Sequence, residues 1–379
     1  MQPAYEVADI LAQHCHEVIQ HKQINSWQLR TLSAINKCRT ADLGGHVDAC
    51  TNCGSIRISY NSCRNRHCPK CQGNKRDEWI QKRNEELLPV PYFHVVFTLP
   101  DTLNKLAMHK PKECYDALFE AAWQTLQTFG HDTKHLGAQV GMISILHTWG
   151  QQLTLHPHLH CIVPGGGLTK NGVWKTAKSK GKYLFSVKAM SKVFRAKYVF
   201  TLKNKIADID KNLVNELFKK EWVVFAKRPF GNAESVMEYI GRYTHKIAIS
   251  NRRITNIDEQ TITFNYKDYK DEAKKKELTL DAMEFIRRFA MHILPKNFVR
   301  IRHYGILSST SKKTSIPIIK ELFHDSKPIE IKEARQMQNY HPLYCVHCKK
   351  ESMIIVEIIP KRGPPNLMKG NYELLKDSF

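Results

Sequence analysis

The chain has 379 residues and a formal charge of +22, because 58 Lys and Arg face 36 Asp and Glu. This length allows two or three domains, and the 42% of hydrophobic residues excludes a disordered chain. So basic a chain predicts a polyanionic partner, nucleic acid before anionic membrane, since no apolar run approaches the roughly 18 residues of a spanning helix. The start MQPAYEVADI lacks the basic and apolar regions of a signal peptide, so we expect a cytoplasmic protein.

The basic residues are concentrated in stretches that contain no acid. Residues 161–207 contain eleven Lys or Arg, and residues 61–76 contain five, and neither stretch has an Asp or Glu. A solvated helix face is the alternative explanation, but such faces usually interleave acids that pair with the bases. These stretches therefore favour contact with phosphates.

Periodicity predicts helices and strands in mixed order, without internal repeats. The predicted helices cover 5–36, 111–129, 187–206, 210–226, 234–245 and 280–294, and the predicted strands cover 89–100, a hairpin of 143–150 with 155–164, and a small meander over 246–268. Hairpins mixed with helices favour an α+β fold, and no phosphate-loop or dinucleotide glycine pattern is present. We divide the chain into an N-terminal helical and zinc-binding module (1–88), a catalytic domain (89–310) and a basic extension (311–379).

Two Cys-x2-Cys pairs lie near the N-terminus, Cys50 with Cys53 and Cys68 with Cys71, with fourteen residues between them. Tetrahedral Zn²⁺ takes four thiolates, and two such pairs supply them at a spacing close to that of a zinc ribbon. Eleven cysteines in a chain without an export signal indicate metal binding rather than disulfides. We therefore predict one structural Zn²⁺ site from these four residues; the alternative is buried free cysteines.

Other ligands and bases lie inside the same loop. Cys63 and His67 could replace one zinc ligand or form a second site. Arg64, Arg66 and Lys70 are predicted to project from the zinc-stabilised loop towards DNA.

The pair Cys345-x2-Cys348 near the C-terminus is half of a metal site. It could recruit His341 or His347 as further ligands.

Three histidines alternate in the predicted strand LHPHLHCIVP. Because strand residues i and i+2 share a face, His158 and His160 point the same way and can bind one cation, while Leu159 faces the other side. His156 has the same parity, but Pro157 and the nearby turn disfavour it as a ligand. The alternative for such a row is ordinary core or edge histidines.

The preceding strand of the hairpin offers a third ligand. With a turn near residues 152–154, His147 lies opposite 158–160, although a one-residue slip would reverse its face, and Gln151 or Gln152 is the alternative. A divalent ion held by two or three histidines keeps open positions and can polarise a phosphoryl oxygen.

Such a site needs a nucleophile, and EYIGRYTHK supplies two tyrosines. Tyr239 and Tyr243 are four residues apart on the predicted helix, so both hydroxyls share one face. Taken alone, this spacing fits core tyrosines equally well. A phenol becomes a nucleophile when a nearby cation stabilises its phenolate or the transition state.

In combination these motifs resemble the HUH endonucleases, and above all the rolling-circle transposases of the insertion sequence ninety-one family. The resemblance covers roughly residues 10–310. It is carried by the stretches NSCRNRHCPKCQ, FHVVFTLP, LHTWGQ with HPHLHCIVPGGG, and YIGRYTHKIAISN.

The resemblance implies a fold, cofactors and partners. The catalytic domain would be an antiparallel sheet flanked by helices, with Mg²⁺ or Mn²⁺ bound by His158 and His160 at the scissile phosphate of single-stranded DNA. Tyr239 or Tyr243 would attack that phosphate and form a 5′-phosphotyrosine link. The zinc module would help to bind DNA at the ends of a mobile element, and the reaction would join that strand to target DNA in the bacterial cytoplasm. Because single-tyrosine relatives exist, the resemblance leaves open which tyrosine is indispensable.

Two other functions remain open at this point. A plasmid replication initiator or a conjugative relaxase would use the same chemistry. A zinc-dependent DNA-binding regulator would use the histidines as a second structural zinc site. A zinc deaminase is disfavoured, since no His-x-Glu precedes a Pro-Cys-x2-Cys.

Overall fold

The computed structural model describes residues 3–21, 23–72, 86–177, 184–227, 246–324 and 341–361, and its fold is α+β. The helices are α1 (Val7–Gln13), α2 (Cys15–Gln20), α3 (Ser26–Asn36), α4 (Asn104–His109), α5 (Pro111–His131), α6 (Val187–Lys205), α7 (Lys211–Lys219), α8 (Ala282–Met291) and α9 (Lys312–Leu322). The strands up to the central hairpin are β1 (Gly45–Cys50), β2 (Ile56–Tyr60), β3 (Tyr92–Thr98), β4 (Gly141–Trp149) and β5 (Leu155–Pro164). The later strands are β6 (Gly166–Leu168), β7 (Trp174–Thr176), β8 (Val224–Lys227), β9 (Ile254–Ile257), β10 (Thr261–Asp268), β11 (Lys274–Asp281), β12 (Ile301–Gly305) and β13 (Met353–Ile359).

A five-stranded antiparallel sheet lies at the centre, in the order β12-β4-β5-β3-β8. Alternate residues of β5, including Leu159, Cys161 and Val163, join the largest hydrophobic core together with side chains of α5 and α6. On the opposite face, Ile162 belongs to a smaller core at one end of β5. The predicted antiparallel sheet flanked by helices is thus confirmed, and the helices cover the face that does not contain the histidines.

Local sequence fixes where several of the helices begin. Pro111 occupies the first turn of α5, where its missing N–H leaves no hydrogen bond unmade. Ser186 caps α6 by accepting a hydrogen bond from the amide of Ala189. Asp281 caps α8 by accepting hydrogen bonds from two backbone amides, those of Met283 and Glu284.

The N-terminal helices pack on a second core that the rest of the chain supplies. Val7, Leu32 and Ile35 of α1 and α3 share it with Phe264 of β10 and Phe285 of α8. The three-stranded sheet of β11, β10 and β9 flanks this core. Strands β9 and β10 correspond to the predicted meander over 246–268, whereas β11 lies beyond it. The N-terminal helices therefore contact β10 and α8 through buried hydrophobic side chains.

Strand β13, near the C-terminal end of the described residues, joins β1 and β2 in another sheet, in the order β13-β1-β2. Strand β13 pairs antiparallel with β1 from Gly45↔Ile359 to Cys50↔Met353. This pairing brings residues of the predicted C-terminal extension onto the N-terminal module.

The predicted hairpin of 143–150 and 155–164 is present as β4 and β5, whereas the predicted helix over 210–226 ends early. Helix α7 ends at Lys219, and β8 follows as an edge strand on β3. The reason is that burial alternates with a period of two, which is typical of a strand: Trp222 and Val224 are buried, while Val223 and Phe225 are exposed. The predicted helix over 234–245 lies outside the described residues. Among the described residues, none of the helices combines the length and apolar character that crossing a membrane requires.

Candidate active site and cysteine clusters

Three imidazoles meet on the face of β4 and β5 opposite the main core. The register pairs His147 with His158, and His160 follows two residues later with the same parity. One ring nitrogen of each histidine lies within 4.8 Å of the others, which makes this trio a possible metal site. The third histidine is thus placed across the hairpin as the sequence predicted. His156 shares the face but is exposed and outside the trio.

Hydrogen bonds orient the rings so that like nitrogens face each other. Nδ1 of His158 lies 2.6 Å from the carbonyl oxygen of His156, so this nitrogen carries the proton and donates it. Nε2 of His158 lies 3.2 Å from Nε2 of His160. In a metal shell with bonds near 2.1 Å, neighbouring nitrogens are separated by about 3 Å. The spacing of these two Nε2 atoms fits adjacent positions around one cation.

A fourth histidine contacts the ring nitrogen of His160 that does not face His158. His94, on β3, is buried and places its Nε2 2.9 Å from Nδ1 of His160. The two rings lie edge to edge in nearly parallel planes, with an angle of 12° between them and centroids 5.1 Å apart. A hydrogen bond to the outer nitrogen fixes both the tautomer and the orientation of a ligating imidazole. His94 therefore leaves Nε2 of His160 directed towards His158.

Burial keeps these imidazoles neutral, as a ligand must be. It lowers the pKa of His158 to about 4 and that of His94 to about 4. Burial also puts the pKa of His160 well below its usual value, and charges on the neighbouring histidines add to this. Each of these rings therefore presents a nitrogen lone pair at neutral pH.

Positive charge lies close to the trio. The ammonium of Lys246 contributes to the lowered pKa of both His158 and His160. Arg300, which is buried, donates a hydrogen bond of 3.2 Å to the carbonyl oxygen of Lys246. Lys246 directly follows the segment 228–245. The predicted nucleophiles Tyr239 and Tyr243 belong to that segment and lie outside the described residues.

The structure corrects the predicted zinc ligand set. Cys68 and Cys71 do not meet the other predicted pair; they cluster with Cys38 and Cys63. The sulfur of Cys71 lies 3.5 Å from that of Cys38 and 3.7 Å from that of Cys63. Four sulfurs around a tetrahedral Zn²⁺ with bonds of about 2.3 Å are about 3.8 Å apart. This first cluster therefore has the donor set and the spacing of a closed, structural zinc site.

Hydrogen bonds among the four thiols of the first cluster shift their pKa values in opposite directions. Hydrogen bonding with Cys38 lowers the pKa of Cys71 and raises that of Cys68. The divergence arises because adjacent sulfurs cannot all ionise unless a cation lies between them.

Two of the three basic residues that were predicted to contact DNA from the cysteine loop instead bind other residues of the protein. Arg66 donates hydrogen bonds to the backbone oxygens of Phe298 and Pro295, and Lys70 forms an ion pair of 2.5 Å with Glu6. The expectation that Arg66 and Lys70 project towards DNA is thus not met, because these cations hold the loop against the rest of the fold.

The structure also places His67 and Arg64, two further residues of this loop. His67 is buried and outside the cluster, and its Nε2 accepts a hydrogen bond from the amide of Leu294. Arg64 has left-handed backbone with φ of 53° at the start of the loop. Among the predicted substitutes, Cys63 joins the cluster and His67 does not.

Cys50 and Cys53 belong to a second four-cysteine cluster, with Cys345 and Cys348. The expected recruitment of His341 or His347 is corrected, because neither joins this cluster. His341 instead lies 3.8 Å from the carboxylate of Glu351.

Sequence reasoning missed Cys38 and His94. Three cysteines within nine residues, Cys63, Cys68 and Cys71, were a signal that a fourth ligand must come from elsewhere. His94 stands in the FHVVFTLP stretch, and only the adjacency of β3 and β5 connects it with the histidine row.

Comparison with known proteins agrees with this architecture. Residues 141–315 match a family described as "Putative transposase", and residues 10–99 match the "Transposase zinc-binding domain". The chain is 40% identical over 388 residues to the "Putative transposase y4qJ" of Sinorhizobium fredii (strain NBRC 101917 / NGR234), covering 95% of this chain and 97% of that protein. It is 28% identical over 371 residues to the "Transposase for insertion sequence element IS801" of Pseudomonas savastanoi pv. phaseolicola, covering 92% and 89%. No solved structure matches the chain.

The fold, the zinc-binding segment and these relatives define a transposase. In particular, the chain belongs to the insertion sequence ninety-one family of transposases.

Replacing Cys63 by Ala should remove one zinc ion per chain and lower the thermal unfolding temperature. The loss of one thiolate opens the first cluster, which lies beside the core of α1 and α3. Elemental analysis and thermal denaturation measure both effects. Cys15→Ala is the matched control, because Cys15 belongs to neither cluster; unchanged zinc in Cys63→Ala would contradict the assignment.

Proposed function

We propose that this transposase nicks and rejoins single-stranded DNA at the ends of its mobile element and drives rolling-circle transposition. The observation that carries the proposal is the trio of His147, His158 and His160, whose ring nitrogens lie within 4.8 Å of one another. Membership of the transposase family supports DNA cleavage and strand transfer. The reaction would take place on bacterial DNA in the cytoplasm, at the nucleoid.

The histidine trio fits a divalent ion, Mg²⁺ or Mn²⁺. His158 and His160, which burial keeps neutral, and His147 on the neighbouring strand would hold the ion. A bound ion would supply Lewis acidity, which withdraws charge from the phosphate under attack.

Residues around the histidine trio would have separate roles in the reaction. His94 keeps His160 in the ligating tautomer, and Lys246 adds positive charge where a DNA phosphate would bind. The phenolate oxygen of Tyr239 or Tyr243 would attack phosphorus, forming an O–P bond while the bond from phosphorus to the 3′ oxygen breaks.

The departing 3′ oxygen takes up a proton and becomes a free 3′-OH. Because the phosphotyrosine ester retains the energy of the broken bond, the same 3′-OH, or one from another strand, can reverse the step. Two tyrosines allow two such links in succession, as transfer of a single strand requires.

Binding of element-end DNA is proposed for the zinc module and the acid-free basic stretches. Arg64 stays a predicted DNA contact, whereas Arg66 and Lys70 contribute by holding the loop in place. Phosphate contacts of this kind give affinity and position rather than sequence readout.

Changing both Tyr239 and Tyr243 to Phe should abolish a covalent protein–DNA adduct, because no phenol is left to attack phosphorus. The assay incubates the protein with a single-stranded oligonucleotide of the element end and Mn²⁺, then resolves the product on a denaturing gel. The single variants and peptide mapping identify the attached residue. Tyr269→Phe, at an exposed tyrosine in a turn, is the control and should form the adduct normally; an adduct in the double variant would refute this nucleophile.

Changing His158 and His160 to Ala should abolish cleavage while DNA binding by gel shift stays within a few-fold. The reason is that two of three proposed ligands are lost and the cysteine clusters are untouched. His156→Ala is the matched control, since its backbone oxygen still accepts the bond from His158. Cleavage retained in the double variant would overturn the metal assignment. A wild type that binds zinc there and never cleaves would instead indicate a regulator.

Replacing His94 by Ala should raise the Mn²⁺ concentration needed for half-maximal cleavage about 10- to 100-fold, the usual effect of losing a partner behind a ligand. The rate at saturating Mn²⁺ should change much less, because His94 acts through His160. His94→Gln, whose amide can bond to Nδ1 of His160, should restore part of the affinity. An equal fall of rate at all Mn²⁺ concentrations would indicate a general structural defect instead.

A further inference from the structure

The two Cys-x2-Cys loops of the second cluster fold alike although nearly 300 residues separate them. In each loop the amide of the first cysteine donates to the carbonyl five residues later: Cys50 to Ser55 at 2.9 Å, and Cys345 to Lys350 at 2.8 Å. In each, the amide four residues after the first cysteine donates back to that cysteine's carbonyl, at 2.9 Å in both cases. The residue at that point has positive φ in both loops, 71° at Gly54 and 56° at Lys349.

This shared geometry directs all four thiols to one point. The sulfur of Cys50 lies 3.6 Å from that of Cys348, and the sulfur of Cys53 lies 3.7 Å from that of Cys345. Both separations match the about 3.8 Å between sulfurs of a tetrahedral zinc site and are far longer than a disulfide of about 2.05 Å. The hydroxyl of Ser352 lies 3.0 Å from the sulfur of Cys50, where it can hydrogen-bond to a ligating thiolate.

The sheet that carries these loops has almost no hydrophobic core of its own. Among the described residues, the buried cluster there consists of Cys50, Cys345 and Met353, with Cys348 packed against it. The other large apolar side chains of β2 and β13 are mostly exposed, as Ile58 and Ile358 show at 57% and 75%. A unit this small needs a covalent or metal crosslink, because buried apolar area cannot offset the entropy of ordering its chain.

We propose that Cys50, Cys53, Cys345 and Cys348 bind a second structural Zn²⁺, which closes a zinc ribbon assembled from both ends of the chain. Its two knuckles come from the β1–β2 hairpin and from the loop that precedes β13. The site is separate from the first cluster, whose Cys68–Cys71 loop forms a single turn, with the amide of Cys71 donating to the carbonyl of Cys68. The C-terminal segment is thereby a part of the N-terminal module.

Zinc content of the full-length protein tests the proposal independently of DNA cleavage. Changing Cys345 and Cys348 to Ser should lower the zinc content by one ion per chain relative to the wild type. Changing Cys63 and Cys71 to Ser should remove a different single ion, and combining all four changes should remove two. Cys15→Ser is the control and should lose none. Hydrogen exchange should accelerate in β1 and β13 of the first variant, while α3 keeps its protection.

Thiol alkylation of the wild type keeps the test decisive even where a variant fails to fold. In the folded protein, Cys345 and Cys348 should resist alkylation until a strong chelator is added, and Cys53 should then become reactive together with them. A Cys345/Cys348 variant with unchanged zinc content, or thiols that react at once in the zinc-loaded protein, would overturn the proposal. So would a mass two hydrogens lower that maps to a disulfide within this cluster.

Discussion

The register of β4 on β5 is the constraint on which the candidate active site depends. Pairing His147 with His158 puts both imidazoles on the same face as His160, and Leu159 on the face buried against helices. A slip of one residue would bury the imidazoles among aliphatic side chains and expose the leucine, so the hydrophobic core holds the register firmly. The arrangement of the three histidines is thus stabilised by the same packing that makes the sheet.

The rest of the site follows from the order of strands around β5. Because β3 lies on its other side, His94 reaches Nδ1 of His160. His147, on β4, has its ring centroid 4.5 Å from that of His160. The site is therefore built on three neighbouring strands rather than on loops, which gives its ligands little freedom to move. A rigid trio with ordered tautomers suits a reaction in which a phosphate must be held while bonds to phosphorus exchange.

The cysteine clusters show a different relation between sequence and structure. The sequence pattern correctly indicated zinc, since the Cys-x2-Cys pairs and the zinc-binding domain match agree. The pattern indicated the wrong grouping of cysteines, because a Cys-x2-Cys pair fixes only its own loop and does not show which other cysteines face that loop. The pairs at Cys50 and Cys68 are close in the chain, but β1 runs beside β13, which brings Cys345 to Cys50 instead. Similarly, Cys38 follows the end of α3 at Asn36 and belongs to the first cluster.

By itself, the sequence determined the features that repeat within one element. The period of two in LHPHLHCIVP placed His158 and His160 on one face, and hairpin signals mixed with helices indicated an α+β fold. His147 was one of several candidate third ligands until the register of β4 on β5 was known. Tertiary structure decided everything that joins distant segments: the position of His94, the division of eight cysteines into two clusters, and the docking of the C-terminal strand on β1. The physical reason is that periodicity acts over a few residues, whereas a metal site needs atoms a few ångströms apart whatever their separation along the chain.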